Sequence, residues 1–131
     1  MLDYLVQPLR RTFDFRGRAR RRDYWGFVLW QLAILAGALN ILSLFPRSGD
    51  GMALVMLTML VQALVFGLPT LALQVRRLHD QGSSGWWLVV GFLPYIGPGW
   101  MIWLMLARGQ PGDNRYGEDP RRVELDAALF D

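Results

Sequence analysis

The chain has no cysteine and no lysine, and only one histidine among its 131 residues. Without cysteine there is no disulfide framework, no thiolate metal site and no cysteine nucleophile. A metal centre needs three or four converging ligands, and nothing gathers around His79 in the sequence to supply them. Charge is missing over long stretches as well. No Asp, Glu or Arg occurs at 24–46, 51–75 or 81–107, and these windows hold more than half of the chain. A soluble helix must show one polar face to water. At about 1.5 Å per residue, by contrast, roughly 20 uncharged residues cross the ~30 Å hydrocarbon layer. The apolar content of 53% and the mean hydropathy of +0.20 agree with membrane insertion. The first apolar run starts only after residue 23, is full length and has no small-residue cleavage site behind it, so it reads as a retained span and not a signal peptide.

What is present in excess is arginine. Seven of the fourteen Arg lie between Arg10 and Arg22, while six of the eleven acids follow Pro111. The pattern predicts one all-α membrane domain, 1–131, with about three transmembrane helices. An Arg-rich interfacial segment (1–23) precedes hydrophobic segments at 24–45, 52–75 and 86–107, and a turn-rich polar tail (108–131) follows. In the first segment Leu2, Leu5, Val6, Leu9 and Phe13 recur at helical spacing, which suits an amphipathic helix in the interface plane; a disordered tail is the competing reading. In the first span Ala33, Gly37 and Asn40 share one face, a small-residue stripe of the kind that packs on another helix. A short PRSGDG connection at 46–51 leads to the second span, where Gly67 and Pro69 predict a kink.

The third segment carries Gly91, Pro94, Gly97, Pro98 and Gly99 near its middle. It is either one kinked span or a re-entrant hairpin of two halves of about eleven residues. The single kinked span is preferred, because two other helices offer little to cover non-helical backbone at membrane depth. The Arg distribution places the N-terminus and the RRLHD loop in the cytoplasm. Three spans would put the tail outside, against the pull of its own Arg108, Arg115, Arg121 and Arg122.

No ionisable side chain falls inside a span, which argues against proton or ion pumping. The candidates for contact with anionic headgroups or a partner are Arg16, Arg18, Arg20, Arg21 and Arg22, then Arg76, Arg77, His79 and Asp80, then Asn114 and Arg115. The plainer reading of the first cluster is topology alone. For the second, His79 hydrogen-bonds the loop, and Asp80 pairs with Arg76 or Arg77 across one helical turn. For the third, the tail is simply a turn. No catalytic, cofactor-binding or metal-binding residue is expected, nor nucleic acid as a partner. Partners are membrane lipids, other membrane proteins or a second copy.

Three motifs in order, FDFRGRARRRDYW, RRLHDQGSSGWW and GQPGDNRYGEDP, resemble a bacterial inner-membrane family known as domain of unknown function 805, the YhaH-like proteins. The resemblance covers about residues 13–120. It falls on Phe15, Arg16, Gly17, Arg18, Tyr24 and Trp25, on Arg76 to Asp80, on Gly85, Trp86 and Trp87, and on Gly109, Pro111, Gly112, Asn114 to Gly117 and Pro120. The Pro98–Gly99 pair is less typical of it. The resemblance implies a multi-pass inner-membrane protein and no established activity or cofactor. The leading expectation is a non-enzymatic interaction or regulatory protein with an Arg-rich surface. A small oligomeric channel or transport subunit is the alternative. A lipid-acting enzyme using His79, Asp80 and Arg76 or Arg77 ranks third.

Overall fold

The computed structural model describes residues 3–44 and 49–130. Phe45 to Ser48, and with them most of the PRSGDG connection, lie outside the described residues, as does Leu2 of the amphipathic pattern. Helix α1 spans Asp3–Arg10, α2 Arg21–Ser43 and α3 Gly49–Asp80; a 3₁₀ segment follows at Gly85–Phe92, then α4 at Gly97–Leu106 and α5 at Pro120–Phe130. Among the described residues no strand forms.

Helices α2 and α3 make an antiparallel pair and are the two helices long and apolar enough to cross a bilayer. Their 23 and 32 residues correspond to about 34 and 48 Å. The last turn of α3 therefore reaches past any hydrocarbon layer that its uncharged part fills. At the start of α2, Asp23 accepts from the Arg20 backbone N–H at 3.1 Å, satisfying a donor at the positive end of the helix dipole. The contact between the pair is partly aromatic: Phe27 is fully buried, with Trp30 and Phe66 at 6.0 Å. It is also partly polar. Gln62 donates to the Gln31 carbonyl at 3.1 Å, Thr70 to the Gln31 side-chain oxygen at 3.2 Å, and Gln74 to the Tyr24 hydroxyl at 3.4 Å. Elsewhere the two helices are uncovered; only 6% of each apolar stretch is buried, with Leu29, Ile41 and Leu64 more than half exposed. A core helix of a soluble protein would be buried, and lipid is the solvent this surface suits. Pro69, fully buried, sits inside an unbroken α3.

The single kinked span preferred for 86–107 does not form. The 3₁₀ segment covers about 16 Å and α4 about 15 Å, half a bilayer each. They fold back on each other through a turn at 93–96, closed by the Gly97 N–H bonding the Leu93 carbonyl at 2.9 Å. Two local features mark the reversal. Gly97 lies against the Gly91 carbonyl, where a Cβ could not fit, and Tyr95 at the tip adopts φ 69°. Trp87 packs on Trp100 across the hairpin at 6.0 Å. The N-terminal amphipathic pattern does form a helix, α1, and Leu9 packs against the core. The tail is more than turns: after 107–119 it ends in α5, a helix the turn-rich sequence does not announce. Asp119 starts that helix by accepting from the Arg121 N–H at 3.0 Å.

Candidate functional site

Beyond Val75 the α3 helix leaves its uncharged stretch and presents Arg76, Arg77, His79 and Asp80 in one turn. Arg77 and Asp80 are three residues apart, hence on one face, and Arg77 Nη1 donates to Asp80 Oδ2 at 2.7 Å. The other carboxylate oxygen is taken from far away in the sequence: Arg18 Nε donates to Oδ1 at 3.1 Å. The same Arg18 guanidinium also donates to the Gly112 and Gln110 carbonyls, each at 2.6 Å, and its side chain is 1% exposed. The Asp80 carbonyl accepts from the Gln110 N–H at 2.8 Å. Gly109 lies directly against the Asp80 carboxylate, at a distance no Cβ could tolerate. One buried carboxylate thus joins the N-terminal stretch, the end of α3 and the residues after α4.

The last carbonyls of α4, which a helix leaves unbonded, are met one by one by side chains. Gln81 donates to Leu104 at 2.5 Å, Trp25 to Met105 at 3.4 Å, Arg21 to Leu106 at 3.0 Å, and Arg77 Nη2 to Ala107. Cationic donors at this end also suit the negative pole of the helix dipole. Around this centre His79 Nδ1 bonds the Gly17 carbonyl at 3.2 Å, and its ring stacks on Tyr116 at 3.9 Å with planes 4° apart. Asn114 donates to the His79 carbonyl at 2.9 Å, and Arg115 lies over Tyr116 at 4.7 Å while donating to the Gly82 carbonyl at 3.1 Å. The Ala19 N–H reaches the Arg76 carbonyl at 3.0 Å.

The three polar motifs therefore form one cap at the α2-start, α3-end side of the molecule. Of the sequence candidates, Arg18, Arg76, Arg77 and Asp80 face its interior, Arg16, Arg21, Arg22 and Arg115 are on its surface, and Arg20, His79 and Asn114 are between. Asp80 pairs with Arg77 and Arg18, and not with Arg76. Ala33, Gly37 and Asn40 lie outside the cap and are exposed along α2; Asn40 donates to the Ala36 carbonyl of its own helix. The polar contact between α2 and α3 falls instead on Gln31. Gly109 enters the sequence reading only through the family resemblance, and Gln110 and Gln81 are not singled out by it; the role of all three depends on contacts across the fold.

At the cap surface, Asp14 is held below the usual carboxylate range by its hydrogen bond from Arg11 and by the Arg16 N–H. Asp119 is lowered too, chiefly by the Arg121 N–H and also by the Gly112 N–H, against an opposing effect of burial. Burial lowers the Arg20 guanidinium from its ordinary value. Among the described residues no group of three or more His, Asp or Glu is placed to hold a metal ion.

Comparison with known proteins places this geometry in a family. Residues 12–118 match the family model described as protein of unknown function (DUF805). The chain is 38% identical over 125 residues to the inner membrane protein YhaH of Escherichia coli strain K12, covering 92% of this chain and 98% of that protein. It is 39% identical over 122 residues to inner membrane protein YhaI of the same strain, covering 92% and 97%. It is 33% identical over 146 residues to the uncharacterized protein YiiR, also of that strain, covering 88% and 91%. No solved structure matches the chain. With a family model spanning most of its length and relatives aligned nearly end to end, the chain belongs to the DUF805 family.

Proposed function

We propose that the protein crosses the inner membrane twice, through α2 and α3, and dips into it once through the hairpin of the 3₁₀ segment and α4. The cap is then a non-catalytic docking surface on the cytoplasmic side, built to meet anionic headgroups or a membrane partner. One observation carries this reading: Arg18 and Arg77 hold Asp80 while Arg77, Arg21 and Gln81 hold the end of α4, so the third segment leaves on the side where it entered. That arrangement also removes the conflict over the tail. Every Arg of the chain except Arg47 then belongs to the cap side of the spans, as the positive-inside rule favours. Exposed Arg16, Arg21 and Arg22 supply the surface charge, and juxtamembrane cations contribute on the order of 1 kcal/mol each at an anionic leaflet.

The competing readings use residues that already have partners. An enzyme built on His79 and Asp80 would need a ring now stacked on Tyr116 and a carboxylate with both oxygens bonded to Arg. A pore lined by Gln31, Asn40, Gln62 and Gln74 would draw three of the four from the contact between α2 and α3, while Asn40 bonds its own helix. The test is single-cysteine labelling with an impermeant reagent, on a background with no native cysteine. Ser83→Cys and Leu129→Cys are expected to label only after lysis, and Ser48→Cys in intact spheroplasts. Labelling of Leu129→Cys on the side opposite Ser83→Cys would mean three true crossings and would rule the reading out.

A further inference from the structure

Beside the Asp80 centre lies an open cavity of about 460 Å³, lined by α1, the N-terminal stretch, the start of α2, the end of α3 and α5. Its volume is in the range of small-molecule sites. Pro8, Ala19 and Leu73, all buried, line it on one side, and Val123 and Ala127 of α5 wall it on another. The remaining lining is strongly cationic, with Arg11, Arg20, Arg22 and Arg76 against Asp23 and Glu118. Arg18 also lines it, but its guanidinium is engaged with Asp80, and Arg11 reaches the rim while paired with Asp14.

Arg76 is the unusual member. It is 3% exposed, and its Nε donates to the Ala72 carbonyl at 3.3 Å, yet its buried Nη2 has no hydrogen-bond partner. Among the described residues no carboxylate pairs with it, whereas Arg77 and Arg18, its neighbours in the cap, share Asp80. A guanidinium stays charged at any physiological pH, and an uncompensated buried charge is costly. Asp14 and Asp23 act on Arg76 only through space; an anion in the cavity would meet the unbonded Nη2 directly, and planar, forked N–H donors fit the oxygens of a phosphate. The apolar floor leaves room for the glycerol or alkyl part of a ligand that carries such a group.

We propose that this cavity is a binding site for a phosphate group, with Arg76 as its buried anchor and Arg11, Arg20 and Arg22 supplying charge at its rim. The proposal rests on the docking reading of the cap and narrows it to one pocket. The phosphate could belong to a lipid headgroup or to a soluble ligand, and the experiment separates these sources. The full chain is held in a phosphate-free maltoside detergent, and its thermal midpoint is followed by tryptophan emission at constant ionic strength. One arm adds inorganic phosphate in exchange for chloride, and the other adds phosphatidylglycerol to the micelles. A ligand of the native state raises the midpoint. A rise with phosphatidylglycerol alone assigns the site to a headgroup, and a rise with inorganic phosphate assigns it to a soluble ligand. In Arg76→Gln the apparent affinity is expected to fall by roughly tenfold or more, as for loss of a charge-assisted hydrogen bond. Val123→Trp, which narrows the mouth from the exposed α5 without changing any charge, is expected to do the same. If Arg76→Gln does not fold, Val123→Trp and Arg11→Gln decide the matter. No rise with either probe overturns the site. So does a rise that persists undiminished in the variants; its loss on neutralising Arg16 and Arg21, which lie outside the cavity, would instead leave the general headgroup reading standing.

Discussion

Asp80 is the residue on which the cap turns, because both of its oxygens are engaged by guanidinium groups that are themselves buried. Asp80→Asn leaves two buried cations without their counter-charge, and breaking a buried pair in this way costs about 3–5 kcal/mol. A double-mutant cycle of Arg18→Gln with Asp80→Asn, read from unfolding in detergent, is expected to show strong coupling; additive losses would contradict the shared network. Gly109→Ala tests the same centre from the backbone side. Its Cβ would fall on the Asp80 carboxylate, and overpacking of this kind costs about 1–3 kcal/mol. Gly37→Ala is the contrast: a Cβ there meets nothing within 4 Å, so the stability of the single chain is expected to stay level or rise slightly. A loss there would mean that a second copy packs on the Ala33–Gly37–Asn40 face. At this scale the sequence is half legible. Arg77–Asp80 follows from helical spacing, but Arg18 lies 62 residues from Asp80, and no local pattern reports such a pairing.

At the scale of the elements, hydropathy identifies α2 and α3 because each is long, uncharged and left open to solvent or lipid. The third apolar segment is just as free of charge and has a different fate. Its reversal is decided by the close approach of Gly97 to the Gly91 carbonyl and by side chains that capture the carbonyls of 104–107. Glycine and proline mark where a break is possible, while the partners that set its direction lie elsewhere in the chain. Helix α5 escapes a reading from sequence for a different reason: its 11 residues hold no apolar run longer than the four at 127–130, and turn-forming residues precede it. The hairpin makes a direct prediction at its tip. Tyr95 is almost wholly exposed and holds φ 69°, a region that costs a non-glycine residue roughly 1–2 kcal/mol. Tyr95→Gly is expected to raise the unfolding midpoint, offset in part by the greater chain entropy of glycine, whereas Gly97→Val should separate the Trp87–Trp100 contact and change tryptophan emission. An unchanged spectrum in Gly97→Val would argue against the folded-back hairpin.

The whole molecule is held together by two kinds of physics at its two ends. The α2–α3 pair is bound by aromatic packing and interhelical amide contacts, neither of which involves a carboxylate. The cap depends on carboxylates, and acid should therefore separate the two. Asp14 and Asp119 have folded pKa values below the ordinary 3.8. For such groups the unfolded state binds protons first, so their stabilisation is complete above the ordinary carboxylate range and is lost as pH falls through the lowered folded values. Asp119 closes the turn after α4 by accepting from the Gly112 and Arg121 N–H groups, and Asp14 holds the N-terminal stretch through Arg11 and the Arg16 N–H. Between neutral pH and about pH 3, amide exchange is expected to rise in residues 11–20 and 107–119 while helical circular dichroism from α2 and α3 persists. Concerted loss of both would show that the cap and the spans unfold as one unit. Unchanged exchange in the cap down to that pH would mean that these carboxylates do not hold it.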